Sequence, residues 1–281
     1  MINRKAIGYI TANYTCRTSS KLTECRPLAA LPIFGRYRLI DFPLSNMMNA
    51  GIKTVGVVMP GNYRSLIDHM ESGRDWMLDR KKGGLFLLPG NAFGASKRGM
   101  RFLLRDIIDN YQDVDHLDLF EAIEPEFGRI DVCSYEFKGL ALGVFDEQSY
   151  YQRSMEMLRP DLNDRLFNPD RPIMTKAHDA PPAKFCTGST VCNSLVSAGC
   201  LIQGTVRGSI LARDVVVEHG ASVSNSIIMQ GCVIHSGARV ENAIVDKNNV
   251  IPAQTELRGT PDATLIIAKA PLATKEITTL D

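Results

Sequence analysis

The side chains best suited to chemistry in this sequence are cations that recognise oxygen anions. Arg36 and Arg38, two apart in FGRYRLID, carry guanidinium forks that match carboxylate and phosphate alike. Asp41 stands three residues beyond Arg38. Two uses stay open: phosphate binding, or pairing with Asp41 or with a neighbouring chain's carboxylate. Lys97, Arg98, Arg101 and Arg105 share one face of a helix pattern that Ser96 can cap. Met100, Leu103, Leu104, Ile107 and Ile108 take the other face, so a solvated helix surface explains these cations better than an anion site. The seven cysteines (Cys16, Cys25, Cys133, Cys186, Cys192, Cys200, Cys232) form no C-x-x-C, so neither a zinc site nor a disulfide framework is indicated. Reduced thiols of a cytoplasmic protein are the simplest reading.

The elements that must position these groups fall into two halves. From Asn193 to Gly259 the chain repeats. Aliphatic residues occur at Leu211, Val217, Val223, Ile228, Ile234, Val240, Val245, Ile251 and Leu257, in steps of 6, 6 and 5. Leu211, Ile228 and Val245 are therefore 17 apart, as are Val217, Ile234 and Ile251. Neither a two-residue strand period nor a 3.6-residue helix period produces this. A three-sided parallel β-helix does, with one inward aliphatic per side stacking on its copy in the next coil. Gly208, Gly220, Gly231 and Gly237, with Asn225 and Asn242, suit corners of positive φ. About four coils are visible. His219 and His235 lie at corners and are 16 apart, one short of a coil, which argues against a stacked catalytic pair. His69, His116 and His178 lie outside the repeat, so no three-histidine zinc site is expected there either.

The front half reads as α/β. Ala6–Ile10 is a short strand, LSNMMNA after Pro43 is a helix stopped by Gly51, and Ile52–Met59 is a second, doubly covered strand. That is a βαβ unit. Tyr63, Leu66, Ile67 and Met70 give a helical stripe ended by Gly73. Asp118–Ile123 reads as a helix and Arg129–Phe137 as a strand. Asp146 can cap a helix ended by Pro160, and the Pro-rich Arg159–Lys184 reads as linker. Leu265–Ala268 adds a strand before a loose tail. The 281 residues suit two domains, and 44% hydrophobic content supports real cores. A net charge of +1 gives no field that would select nucleic acid or an anionic membrane, and no apolar run approaches spanning length. No signal peptide is recognised in the run from Met1 into AIGYI.

Three stretches together carry a resemblance: RPLAALPIFGRYRLIDFPLSNMMNAGI (Arg26–Ile52), PPAKF (Pro181–Phe185) and NSLVSAGCLIQGTV (Asn193–Val206). In content and order they resemble bacterial glucose-1-phosphate adenylyltransferase, and within that family the non-catalytic D-type subunit. The resemblance implies a truncated nucleotidyltransferase-like (Rossmann-like) α/β domain at 1–145, helix and linker at 146–185, a left-handed parallel β-helix at 186–268 and a tail at 269–281. The family reaction joins ATP and glucose 1-phosphate to give ADP-glucose and pyrophosphate. It needs a glycine-rich phosphate loop, a lysine that neutralises building charge, and an acidic residue holding Mg²⁺. After AIGYI this chain has TANYTCRTSSKL in place of a run like AGGRGTRL. Arg17 and Lys21 remain as residual phosphate ligands. Leu28 stands at the position of the motif lysine, and a long stretch expected after Asn110 is missing.

The resemblance therefore implies a subunit with no catalytic residues, no metal and no cofactor of its own, the Mg²⁺ belonging to the partner. Arg26, Arg36, Arg38 and Arg64 are the expected effector-site cations, for an anionic sugar phosphate or nucleotide. Cys25 and Pro32 stand where some relatives carry lysine and histidine. The expected partner is a catalytic glucose-1-phosphate adenylyltransferase subunit, in a hetero- or homo-oligomer, as a tetramer. The alternatives are a hexapeptide-repeat acyltransferase and a purely structural assembly subunit.

Overall fold

The computed structural model describes residues 6–12, 20–89, 128 and 140–269. The stretches read as helices over 97–108 and 118–123 and as a strand over 129–137 lie outside them, as do Arg17 and Asn110. The chain divides into two compact units that interleave in sequence. The first takes residues 1–32, 37–142 and 164–178, and the second takes 33–36, 143–163 and 179–281.

In the first unit, β1 (Gly8–Thr11) pairs parallel with β4 (Thr54–Met59), and β4 pairs parallel with β5 (Gly84–Pro89). The central strand TVGVVM is buried from Val55 to Met59, as a strand covered on both faces must be. The turn Leu28–Ala30, β2 (Pro32–Ile33), β3 (Tyr37–Arg38) and α1 (Asp41–Asn49) lie between β1 and β4. The helix starts at Asp41, two residues before the expected Pro43 start, because Asp41 itself enters the first turn. Gly51, at φ +76°, ends it as expected. Next, α2 (Arg64–Met70) and a 3₁₀ turn (Arg74–Trp76) pack Leu66, Met70 and Trp76 into the core with Ile40, Leu44 and Val57. The strand β5 was not foreseen. Its GLFLLP has no alternation, and a continuous apolar run reads ambiguously.

In the second unit, Asp146 caps α3 (Glu147–Glu156) as expected, accepting from Ser149 N–H at 2.7 Å. Pro160 does not merely end it. It opens a further short helix, α4 (Pro160–Leu166), whose residues from Asp164 on belong to the first unit, because a proline at the first helical position loses no hydrogen bond. The stretch expected as linker therefore begins with a helix. From β6 (Lys184–Phe185) to β20 (Leu265–Ile267) the chain winds into three five-stranded parallel sheets. This is the left-handed β-helix, with five strands per face where about four coils were visible.

The register is the expected one: Leu211, Ile228 and Val245 are successive partners, as are Val217, Ile234 and Ile251. The extra coil escaped because spacing changes at both ends. Val196 meets Leu211 after 15 residues, and Ala243 meets Leu265 after 22. Both changes sit in corners, and the faces keep register. Inward residues such as Val206, Val223 and Val240 form one stacked core. The corner positions have the expected backbone: Gly208, Asn225 and Asn242 lie at φ +52°, +44° and +48°, one above another. Asparagine reaches this region at little cost and Asn242 Nδ2 also donates to Gly259 O at 3.3 Å. No helix among the described residues is long and apolar enough to cross a membrane.

Candidate functional site

A buried polar cluster of the first unit surrounds Asp41. This carboxylate is fully buried at the start of α1. Its Oδ2 accepts the Arg38 backbone N–H at 2.9 Å, and its Oδ1 lies 2.6 Å from Nε2 of His69, itself buried in the last turn of α2. A buried carboxylate is tolerated only when hydrogen-bonded and paired, and both conditions are met here. His69 also meets the Trp76 ring edge-on, with centroids 5.6 Å apart.

The half-buried Arg38 guanidinium donates through Nη1 to the Ser65 carbonyl in the first turn of α2. Burial pulls the Arg38 pKa down; Asp41 opposes this, nearby Arg26 adds to it, and Asp68 again opposes it. The group stays charged regardless. The last tie to α2 comes from Lys176. Its Nζ donates to Asp68 O at 2.8 Å and to the Glu71 carboxylate, and this bond holds Glu71 below the usual carboxylate range.

Of the six cations expected to bind anions, the structure brings Arg26 and Arg38 within mutual repulsion. Arg26 is buried, Arg64 is exposed at the start of α2, and Lys21 is exposed in a turn. Arg36 is exposed and belongs to the second unit. There Phe34 and Gly35, both at positive φ, precede it, and a Cβ on Gly35 would lie 2.5 Å from Ser197 Oγ. Arg17 lies outside the described residues. Sequence reasoning missed His69. Nothing local links it to Asp41, 28 positions away on another helix.

On the β-helix, a solvent-open trough of about 330 Å³ crosses one outer face. Gly220, Ser222 and Ser224 line it together with Arg239, Glu241 and Arg258. Arg258 pairs with Glu241 at 2.9 Å and with Glu256 at 3.2 Å. At a corner, His235 Nδ1 lies 3.0 Å from Glu218 Oε1, and Ser236 N–H donates to Oε2 at 2.9 Å. The His235 contact, followed by the Ser236 N–H, holds the Glu218 carboxyl below its usual range. His235 is thus engaged by a carboxylate one coil away, while His219 is exposed. No group of three or more His, Cys, Asp or Glu suited to a metal occurs among the described residues.

A parallel α/β unit followed by a left-handed hexapeptide β-helix defines the nucleotidyltransferase-like class that the motifs implied. The comparisons narrow it. A family model described as GlmU-like, C-terminal hexapeptide, matches residues 181–263. Over 96% of its length the chain is 34% identical to the glycogen biosynthesis protein GlgD of Bacillus subtilis (strain 168), covering 97% of that protein. It is 31% identical, over 79% of its length, to GlgD of Geobacillus stearothermophilus, covering 84% of it. The glucose-1-phosphate adenylyltransferase of Pseudothermotoga lettingae is 24% identical over 78% of the chain and is covered for 76% of its length. The chain belongs to the glucose-1-phosphate adenylyltransferase family, with the GlgD proteins among its relatives. The Bacillus subtilis alignment runs to 333 positions against 281 residues here, so that relative carries residues with no counterpart in this chain.

Proposed function

We propose that this chain is a regulatory subunit, without catalytic activity of its own, that assembles with a catalytic glucose-1-phosphate adenylyltransferase subunit in glycogen biosynthesis. The observation that carries this reading is Leu28. It occupies the position of the motif lysine, half-buried in the 3₁₀ turn Leu28–Ala30, within a motif that keeps Arg26, Arg36 and Arg38. A leucine there supplies apolar contact and none of the charge that phosphoryl chemistry requires. The glycine-free TANYTCRTSSKL supports the same reading, since side chains obstruct the approach of backbone N–H groups to a triphosphate.

In this reading the chain works in the cytoplasm, the Mg²⁺ belongs to the partner's site, and the assembly is a tetramer. Arg26 and Arg38, with Arg64, take an anionic sugar-phosphate or nucleotide effector. The effector acts by favouring one arrangement of the partner over another. The test is ADP-glucose formation from ATP and glucose 1-phosphate with Mg²⁺, by this chain alone, by the catalytic subunit alone, and by both co-expressed. The expected result is no product from this chain and altered turnover or substrate affinity in the mixture. Product from this chain alone overturns the non-catalytic reading. Identical kinetics with and without it overturn the regulatory one.

A further inference from the structure

We propose that α2 is a releasable element latched by Arg38, and that an oxyanion captured by Arg38 undocks the first turn of α2. This rests on the anion-binding reading above and specifies how that site would signal. Three observations carry it. First, α2 has seven residues and no side-chain cap at Tyr63, so its own hydrogen bonds do not sustain it. Secondly, its polar ties come from outside and are distributed along it. Arg38 Nη1 reaches Ser65 O in the first turn, Asp41 holds His69 in the last, and Lys176 holds Asp68 O and Glu71 beyond it. Thirdly, of these three ties the first includes no carboxylate, whereas the His69 and Lys176 ties each do. That first tie joins a cation to a neutral carbonyl, whereas a phosphate oxygen offers that cation a charge-assisted, bidentate partner.

The geometry makes the exchange local. The Arg38 backbone is pinned by its N–H bond to Asp41, so the side chain pivots about a fixed point. The buried Arg26 repels Arg38, which favours a competing negative charge at Arg38. Turning the fork's terminal edge toward an anion takes Nη1 from Ser65 O. The His69–Asp41 and Lys176 ties remain, and so does the buried Met70. Only the start of α2 is then freed. It carries the exposed Tyr63 and Arg64, so the surface offered to a partner changes with anion occupancy.

Hydrogen exchange of the full chain, with and without inorganic phosphate and then pyrophosphate, tests this, with calorimetry reporting whether each anion binds. The expected result is that amides of Leu66 and Ile67 exchange about tenfold faster with bound anion, while those of Val55–Val58 do not change. Arg38→Gln should expose the same amides without any anion and abolish the response. Binding of either anion with unchanged α2 exchange overturns the latch and leaves the effector reading standing. No binding of either overturns both. Wild-type α2 protection in Arg38→Gln overturns the latch whatever the ligand does.

Discussion

Both units are built on parallel strands, yet they use their polar groups differently. The β-helix keeps its stacked core apolar along Val206, Val223 and Val240, and its buried polar residues Ser209, Ser226 and Asp246 lie off that stack, each hydrogen-bonded to backbone. The α/β unit buries a carboxylate and an imidazole together and ties α2 down with an arginine and a lysine. A coil that stacks on its own copy needs no charge to fix its register, since each inward residue finds an equivalent neighbour. A seven-residue helix between unlike elements lacks such a template, and charged hydrogen bonds fix its position instead. The first arrangement is rigid by repetition; the second can respond to a competing charge.

The contrast is broken or sharpened most strongly by core truncation. Ile228→Ala removes a fully buried side chain from the middle of the stack and should cost about 4 kcal/mol. Denaturant titration read by far-UV dichroism should show two transitions, with this variant lowering the one that carries β-helix unfolding and sparing the α/β one. A single shared transition would show that the units do not unfold separately. Asp41→Ala leaves His69 buried without its carboxylate and should cost about 3 kcal/mol in the α/β transition alone. An effect below about 1 kcal/mol would mean that the pair is replaceable and that α2 is held by its apolar side.

At a corner the effect is smaller. Asn225→Ala should destabilise the β-helix by about 1 kcal/mol, whereas Asn225→Gly should be close to neutral, because the site demands positive φ. Equal losses would assign the cost to lost side-chain contacts. The smallest effect is Glu218. Its folded pKa is depressed below the ordinary 4.5, so its contribution is full above that value and fades as pH falls through the folded one. In Glu218→Gln, melting temperatures should match wild type at acid pH and fall slightly below it at neutral pH. Divergence in the opposite sense would place the stabilising partner elsewhere than His235 and Ser236.

The sequence carried the β-helix plainly. The inward aliphatics Leu211, Ile228 and Val245 and the corner residues Asn225 and Asn242 recur at a fixed interval, so contacts distant in the chain leave a local trace. The fifth coil was hidden where corners change length. The α/β unit was legible as strand, helix and strand, but β5 was not, because its apolar run lacks a period. At the candidate site Arg26 and Arg38 could be named from the family resemblance. Their ties could not: Arg38 to Ser65 and Asp41 to His69 join unlike elements, and no repeat or spacing encodes such meetings.

The long corner of the last coil has a further consequence. Where the repeat would return from Ala243 to the same face in 17 residues, the chain takes 22 to bring Leu265 onto it. The additional residues add a grip on α3 to the one Tyr151 OH makes on Asn225 O: Gln148 donates to Pro261 O at 2.7 Å and accepts from Thr264 Oγ1 at 3.4 Å. A solenoid is anonymous along its length, since every coil offers the same surface. A loop grown at one corner leaves the ladders in phase and gives that single rung an address, which a helix from elsewhere in the sequence can find.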